Sequence, residues 1–431
     1  MILNVAPVRK LRGTVNLPAS KSYSIRAFFV AACGGVSRVL GASDCDDARA
    51  ALNVARALGV QVSLVRGGLL LAAPAFQKKK AKLAIAVGES GTSLRFILPL
   101  LPHFSGEAAV TGRGTLVGRP NKHLCEALRA RGLAIRGEGR GESVPVTFRG
   151  GNVPCGQVAI DGSVSSQFIS ALMIAAPLAD GGDTHLVMTG KDLVSRDYVL
   201  MTRQILARAG IKVEPKGPRT FFIPGGQSYR GLKAFHVPSD HGLAAFFMAA
   251  AALVPSDVRL KGYFDDTLVQ SDGAIFELLA DMGVKMERSA RSIRVKGPFA
   301  LKGGTFSLKH CPDLVPIMAV TAMFARGTTR LTGIGHARVK ESDRISDLRR
   351  ELQKVGADIA EKPGELVIHP RPSYGEVAGR PVPELDPHHD HRLAMAFAVL
   401  GLKTPVRIRD VECTAKSYPG FVEAFTALET F

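Results

Sequence analysis

Residues 55–65 read "ARALGVQVSLV", a helical stretch that ends in glycine and continues as a strand. A glycine at this place is typical of the left-handed residue that follows a helix C-terminus. The apolar residues alternate with others after the glycine, which indicates a strand with one buried face. The stretch therefore predicts a surface helix that leads directly into a strand.

This pattern occurs five times, and its spacing decides the fold. The glycines follow one another at intervals of 73, 78, 73 and 73 residues: Gly59, Gly132, Gly210, Gly283 and Gly356. Repeats of this kind indicate an architecture built from one recurring unit. Nearest-neighbour solenoids have shorter repeats, so the period favours compact domains made of several units.

A second element has the same period: a short strand, a polar loop and then an apolar helix. Its six copies are marked by Ser22, Thr92, Ser166, Asp240, Asp313 and Asp390. Together the two patterns predict an α/β fold of two similar domains, each with three units of about 73 residues. "SYRGLKAFHVPSD" (228–240) is the expected crossing between the domains.

Composition and net charge indicate a soluble globular protein with an anionic partner. The chain is 46% hydrophobic and 22% charged, which is typical of soluble globular proteins. A net charge of +18 favours an anionic partner, either a nucleic acid, an acidic lipid or a phosphorylated small molecule.

The spacing of the cysteines and the lack of a visible targeting signal predict a cytoplasmic protein. The six cysteines form no C-x-x-C pair, which argues against a disulfide framework and a structural zinc site. The first residues show no secretory signal. The longest apolar run, "GLAAFFMAAAALV" (242–254), is too short to span a bilayer and predicts a buried helix.

Cations occupy helix starts, where the helix dipole disfavours them. Lys21, Arg26, Arg95 and Arg392 all lie in predicted first turns. A single Ser or Asp at such a place is an ordinary cap. Six helix N-termini in register, however, would direct unpaired N–H groups at common surfaces. Two such surfaces facing each other predict an interdomain cleft suited to a polyanion.

Acidic residues accompany these cations. "RVKESDRISDLRREL" (338–352) predicts a helix with Lys340 and Arg344 on one face, unless it is an ordinary salt-bridge ladder. A carboxylate among cations stays ionised and can act as a base, whereas one in an apolar setting can keep its proton and act as an acid. The three histidines of "HHDHR" (388–392) have poor spacing for one ion, so we expect no metal site.

At these residues the chain resembles the 5-enolpyruvylshikimate-3-phosphate synthase family, the 3-phosphoshikimate 1-carboxyvinyltransferases. The resemblance runs from about residue 10 to about residue 425. The motifs that carry it follow the family's order: "LPASKSYSIRA", "ESGTSLR", "DGSVSSQF", "CPDLVPIMAV", "RVKESDR", "DHRLAM" and "CTAKSYP".

The resemblance implies two domains of three βαβαββ units each, with helix N-termini facing the interdomain cleft. It assigns residues 17–231 to a first domain that mainly binds shikimate 3-phosphate. Residues 1–16 and 232–431 form the second domain, with phosphoenolpyruvate-binding and catalytic groups.

The reaction implied is transfer of the enolpyruvyl group of phosphoenolpyruvate to the 5-hydroxyl of shikimate 3-phosphate, with release of phosphate. It proceeds by addition and elimination, without metal or organic cofactor, in the shikimate pathway to chorismate and the aromatic amino acids. The partners implied are these two small molecules; we expect no nucleic acid, no membrane and a monomer.

The family's site residues carry over onto matching positions of this chain. The resemblance implies Asp313 as the base at the 5-hydroxyl and Glu341 as the proton donor to the methylene, with Lys21 assisting. Shikimate 3-phosphate is expected on Lys21, Ser22, Arg26, Ser165, Ser166, Gln167, Ser195, Tyr198, Asp313 and Lys340. Phosphoenolpyruvate is expected on Lys21, Gly91, Arg119, Gln167, Arg344, Arg392 and Lys416.

Four positions depart from the family pattern, and they bear on substrate affinity: Glu89, Phe96, Asp197 and His336.

One rival is the sister family that acts on UDP-N-acetylglucosamine, which carries a reactive cysteine where "GRGTLVGRP" (112–120) has none. Another is a nucleic-acid-binding or RNA-end-processing protein, but the chain lacks Trp and its aromatic residues lie mostly in apolar helices.

Overall fold

The computed structural model describes residues 1–74, 80–191, 193–371, 373–374 and 381–430. Internal contacts divide the chain into two compact units. We call residues 19–238 the central unit, and residues 1–18 together with 239–431 the terminal unit. The division at 238/239 lies beyond the expected boundary at 231/232, because Phe235–His236 pairs with a strand of the central unit.

Two kinds of helix alternate along the chain, as the repeat predicts. The central unit holds α1 (Lys21–Cys33), α2 (Asp46–Ala57), α3 (Gly91–Ile97), α4 (Leu101–Phe104), α5 (Lys122–Arg129), α6 (Ser166–Ala175) and α7 (Arg196–Arg208). The terminal unit holds α8 (His241–Leu253), α9 (Ile275–Asp281), α10 (Val315–Met323), α11 (Ser346–Gln353), α12 (His391–Gly401) and α13 (Phe421–Thr426).

The described residues of each unit form three small sheets. Those of the central unit are, in spatial order, Phe235–His236, Val36–Leu40, Gly68–Ala72, Gln61–Val65; Lys80–Ala86, Ser105–Thr111, Ser143–Phe148, Ile135–Glu138; and Gly156–Asp161, Thr184–Thr189, Thr220–Ile223, Glu214–Pro215. Those of the terminal unit are Met286–Ser289, Ser292–Val295, Ser256–Lys261, Lys10–Asn16, Glu429–Thr430; Thr305–Ser307, Thr329–Thr332, Glu365–His369, Asp358–Lys362; and Ile2–Val5, Val406–Arg409, Glu384–Leu385.

Five of the six described sheets share one four-strand topology, whereas the sheet of Ile2–Val5 has a parallel pair and one antiparallel strand only. In the second sheet of the central unit, Lys80–Ala86 leads through α3 to the parallel strand Ser105–Thr111. The chain then passes through α5 into an antiparallel hairpin, whose second strand, Ser143–Phe148, pairs with Ser105–Thr111. This is a βαβαββ unit, so the predicted fold of two three-unit domains is confirmed. Parallel strands require such a helical crossover.

Two strands each lie in one unit although the helix that follows the strand belongs to the other unit. Lys10–Asn16 precedes α1 but pairs in parallel with Ser256–Lys261 of the terminal unit. Conversely, Phe235–His236 precedes α8 but pairs in parallel with Val36–Leu40 of the central unit. Each unit therefore completes one sheet with a strand whose following helix belongs to the other unit.

The apolar helices form the cores. Every residue of α8 is buried, which confirms the interpretation of "GLAAFFMAAAALV" as a core helix. The amphipathic helices cover the sheets, and α5 buries Leu124, Cys125, Ala127 and Leu128 along one side. Within the described ranges, no helix combines the length and the apolar character needed to cross a membrane.

The five repeat glycines end their helices as the sequence predicts. Gly59, Gly132, Gly210, Gly283 and Gly356 all have φ between +82° and +99°. In the first copy the Gly59 N–H donates to the Arg56 carbonyl at 2.9 Å, and the Val60 N–H donates to the Ala55 carbonyl at 3.1 Å. This paired pattern is the Schellman motif, and the other four copies have the same two bonds.

The left-handed glycines give a stability prediction. A Cβ at Gly132 would meet no atom within 4 Å, so alanine there tests the backbone conformation alone (φ +85°). We expect Gly132→Ala to lower the free energy of unfolding by about 1–2 kcal/mol. Gly106, an exposed strand glycine without positive φ, is the matched control, and Gly106→Ala should be neutral. Urea denaturation measures both; equal effects would contradict the assignment.

Candidate functional site

Polar side chains cap apolar helices in both units, but in the central unit the capping residues lie one or two positions before the markers Ser22, Thr92 and Ser166. The side chains of Ser20, Ser90 and Ser165 each accept a backbone N–H from the first turn of α1, α3 and α6. Asp240 and Asp390 do the same for α8 and α12. The remaining copy differs, because α10 is preceded by a 3₁₀ turn, Pro312–Leu314, in which Asp313 makes ion pairs instead.

Arg26 is the most buried cation of the central unit's helix starts. Its Nε donates to Thr202 Oγ1 at 2.9 Å and its Nη1 donates to the Ser22 carbonyl at 2.9 Å. The guanidinium lies 5.4 Å from the Phe96 ring centre and 5.8 Å from that of Tyr198. Burial lowers the pKa of Arg26 to about 10, so it remains a cation at neutral pH. These contacts fix its orientation before any ligand arrives.

A second group joins the starts of α3 and α6. Arg95 donates from Nη1 to Gln167 Oε1 at 3.2 Å, and Gln167 Nε2 donates to Thr92 Oγ1 at 3.0 Å. Gly91 makes the close approach possible, since a Cβ there would lie 2.3 Å from Arg95 Nη1 and 2.9 Å from Arg119 Nη1. The structure thus brings Gly91, Arg119 and Gln167 together, three of the predicted phosphoenolpyruvate ligands.

Further predicted residues of the central unit lie at the starts of α1, α6 and α7. Lys21, the first residue of α1, is 3.1 Å from Asp47 Oδ2 in a largely buried ion pair. Ser166 is buried at the start of α6. Ser195 precedes α7 with φ +53° and ψ +42°, a left-handed conformation that is strained for a residue other than glycine.

Arg344 organises the terminal unit. Its side chain is 1% exposed and bonds three carboxylates. Nη1 donates to Asp313 Oδ1 at 2.7 Å, Nη2 donates to Glu341 Oε2 at 2.8 Å, and Nε donates to Asp390 Oδ2 at 2.7 Å. Burial disfavours its charged form, but the three carboxylates outweigh burial and raise the pKa of Arg344 well above its ordinary value.

Asp313 is shared between two arginines. Besides its bond from Arg344, its Oδ2 lies 3.0 Å from Arg392 Nη2. Burial works against ionisation, but the charges of Arg392, Arg344 and Lys340 outweigh it, so the pKa of Asp313 lies well below its ordinary value. Asp313 is therefore a carboxylate at neutral pH.

The segment "RVKESDR" (338–344) corrects one prediction. Lys340 and Arg344 do not lie on a helix face, because α11 begins only at Ser346. Asp343 stops the helix from extending backward: its Oδ1 accepts the N–H groups of Ile345 and Ser346 at 3.0 and 3.1 Å. Arg338 in turn holds Asp343 with a bond of 2.9 Å. Glu341 and Arg344 form their ion pair in this segment before the helix begins.

Other predicted residues of the terminal unit lie around this group. Lys340 follows the 3₁₀ turn Gly335–Val339, and Lys416 is buried at the end of the 3₁₀ turn Val411–Lys416. His336 is a neutral imidazole, since burial and the charge of Lys340 lower its pKa to about 3. Across the described part of the chain, His, Cys, Asp and Glu form no cluster of three that fits a metal ion.

A family model described as EPSP synthase (3-phosphoshikimate 1-carboxyvinyltransferase) matches residues 5–425. The chain belongs to the EPSP synthase family. A 3-phosphoshikimate 1-carboxyvinyltransferase of a Sulfurovum species is 35% identical over 441 residues, covering 100% of this chain and 99% of the relative. Its counterpart in Photobacterium profundum is 35% identical over 432 residues, covering 99% and 98%.

Solved structures agree with the family. An EPSP synthase from Acinetobacter baumannii superimposes with a TM-score of 0.76 at 28% identity, covering 99% of this chain and 98% of that one. The enolpyruvyl transferase NikO from Streptomyces tendae gives a TM-score of 0.78 at 18% identity, covering 99% and 97%, which shows a shared fold. The predicted family and the predicted fold class are both confirmed.

In this EPSP synthase family member, sequence reasoning missed several residues that contact the predicted site residues within each unit. Thr202 receives a bond from Arg26, Asp47 pairs with Lys21, and Asp272 lies 3.3 Å from Arg392. Asp47 and Asp272 precede or begin amphipathic helices, where an acidic residue is the ordinary choice for the dipole. Their positions therefore carried no unusual signal, whereas the misplaced cations did.

The Arg344 ion pairs predict a large stability effect. Asp390→Ala removes one carboxylate from a guanidinium that stays buried, and it also removes the cap of α12. We expect the free energy of unfolding to fall by about 3 kcal/mol or more. The matched control is Asp257→Ala, which breaks a half-exposed bond to Arg294 and should cost under about 1 kcal/mol. Chemical denaturation compares them, and equal losses would refute the central role of Arg344.

Proposed function

We propose that the protein is a 3-phosphoshikimate 1-carboxyvinyltransferase: it transfers the enolpyruvyl group of phosphoenolpyruvate to the 5-hydroxyl of shikimate 3-phosphate and releases phosphate. The observation that carries this proposal is the placement of Asp313 and Glu341 on one buried guanidinium, that of Arg344. Addition to the enol ether needs a base at the attacking hydroxyl and an acid at the methylene carbon. Two carboxyl groups on one rigid partner supply both.

The charge distribution supports substrates that each carry a phosphate and a carboxylate. Like charges are costly to bring together unless cations balance them. The terminal unit offers Arg344, Arg392, Lys340 and Lys416, each buried or half-buried. Arginine is suited to phosphate and carboxylate because its fork of N–H donors matches both groups. We assign phosphoenolpyruvate to Arg344, Arg392 and Lys416, and Lys340 to shikimate 3-phosphate.

In the central unit we assign shikimate 3-phosphate to groups around α1, α6 and α7. The guanidinium of Arg26 is held rigidly by Thr202, and rigid donors bind an anion without losing rotamer freedom. The strained backbone of Ser195 is typical of a binding residue. The full assignment comprises Lys21, Ser22, Arg26, Ser165, Ser166, Gln167, Ser195 and Tyr198, while Lys21, Gly91, Arg119 and Gln167 take phosphoenolpyruvate.

The low pKa of Asp313 fits a base that is activated by its substrate. In the structure, the charges of Arg344 and Arg392 stabilise the carboxylate and make it a weak base. When the anionic groups of phosphoenolpyruvate bind these arginines, part of that stabilisation passes to the substrate. The basicity of Asp313 then rises in the complex that needs it, and Asp313 accepts the 5-hydroxyl proton. Glu341, which pairs with Arg344 as a carboxylate, first takes up a proton from solvent and then delivers it to the methylene carbon.

Other parts of the proposal stay predictions. We propose that the protein acts as a monomer in the cytoplasm, without a nucleic-acid partner and without metal or organic cofactor. The full-length match to transferases of this family supports small-molecule substrates.

The activity itself is tested by phosphate release from phosphoenolpyruvate. We expect release only when shikimate 3-phosphate is added, because the 5-hydroxyl is the acceptor. UDP-N-acetylglucosamine should give none, and RNA should not bind at moderate salt. Release with the nucleotide sugar, or RNA binding without turnover, would replace the proposal with the corresponding rival.

The base and acid are tested by isosteric variants. Asp313→Asn keeps an oxygen acceptor for Arg344 but cannot take a proton, and Glu341→Gln cannot donate one as an acid. We expect each to lower kcat by about a hundredfold to ten-thousandfold. Asp257→Asn, outside the site, should leave kcat unchanged. If Asp313→Asn retained wild-type turnover with a wild-type unfolding curve, the base assignment would be wrong.

A further inference from the structure

Arg392 lies between two carboxylates of the terminal unit. Its Nη2 is 3.0 Å from Asp313 Oδ2 and 3.3 Å from Asp272 Oδ2. Asp272 belongs to the 3₁₀ turn Ser271–Ala274 that leads into α9, and both it and Arg392 are buried. One guanidinium nitrogen is therefore shared by carboxylates from two separate elements.

The first turn of α8 is built to admit this pair. Gly242 is the second residue of α8, and a Cβ there would lie 2.3 Å from Asp272 Oδ2 and 3.0 Å from Arg392 Nη1. A side chain of any size would push the carboxylate away from the guanidinium. The packing of Asp272 against Arg392 thus depends on a glycine at this position.

We propose that Asp272 is a positioning residue that orients Arg392 and whose charge sets how strongly Arg392 binds an anionic group of phosphoenolpyruvate. The inference rests on the proposed function. An ionised Asp272 competes with the substrate anion for Nη2 of Arg392. A protonated Asp272 still accepts the hydrogen bond but leaves the positive charge of Arg392 to Asp313 and the substrate.

The surroundings make this charge variable near neutral pH. Burial raises the pKa of Asp272 to about 7; Arg392 and Arg344 act against burial, while Asp313 and Asp240 add to it. His241, on the same helix as Gly242, is neutral because burial lowers its pKa to about 4. Asp313 keeps its charge, since its pKa lies well below the ordinary value. Asp272 is thus a carboxyl that changes charge around neutrality.

The test compares wild type with Asp272→Asn, which keeps an oxygen acceptor but carries no charge. The KM for phosphoenolpyruvate is measured at about pH 6 and about pH 8, on either side of the pKa of Asp272. Because the substrate titrates in the same way with both enzymes, its titration cancels in the ratio of their two KM values. We expect wild type and variant to agree at the lower pH, and the wild-type KM to exceed that of the variant by about tenfold at the higher pH, with kcat changing less.

Two further variants sharpen the result. Asp272→Ala removes the acceptor as well as the charge. We therefore expect its KM for phosphoenolpyruvate to exceed that of Asp272→Asn at both pH values. Asp257→Asn neutralises a carboxylate that pairs with Arg294 outside the site, and its profile should follow wild type. Parallel KM profiles for wild type and Asp272→Asn would overturn the inference while leaving the proposed function intact.

A second measurement needs no substrate. A carboxyl whose pKa is raised by folding to about 7 contributes stability that is fully present below its unfolded pKa of about 4 and is lost as the pH rises to about 7. We therefore expect the urea midpoint of wild type, relative to Asp272→Asn, to fall between about pH 4 and about pH 7 and to level off above. A constant difference would overturn the inference even if the enzyme proved to have another substrate.

Discussion

A buried guanidinium with three carboxylates, that of Arg344, is the interaction that holds the charged groups of the terminal unit together. Arginine keeps its proton inside a protein, so a buried guanidinium needs acceptors or charges at fixed places, and at Arg344 these are anions. Asp313, Glu341 and Asp390 meet that requirement, and they come from three different segments. The electrostatic need of one side chain therefore holds Asp313 and Glu341, the proposed base and acid, at defined positions.

The βαβαββ repeat makes this arrangement reachable. Each apolar helix begins after a short strand and a polar loop, so the polar residues of successive repeats lie at equivalent places. Within the terminal unit, the start of α12 supplies Asp390 and Arg392, and the turn before α10 supplies Asp313. Charge that would destabilise a lone helix start is balanced there by charge from the neighbouring repeats.

The repeat and its helix ends were predictable because they depend on local rules. Gly59 and its four equivalents mark left-handed helix ends, and the apolar period separates buried helices from surface ones. The exchanged strand Lys10–Asn16 follows from pairing between distant segments, which local patterns do not encode. The same holds for Asp272, whose role depends on a carboxylate, an arginine and a glycine from three elements.

The central unit solves the opposite problem, which is to keep a cation rigid without neutralising it. Arg26 is held by neutral partners: the Thr202 hydroxyl, backbone carbonyls and the rings of Phe96 and Tyr198. Such partners orient the guanidinium but leave its net charge available to an anion. Arg344 and Arg392, in contrast, already have carboxylate partners, which a substrate anion must displace in part. Under the proposed assignments, the first arrangement favours tight binding of a stable phosphate ester, whereas the second couples substrate binding to the basicity of Asp313.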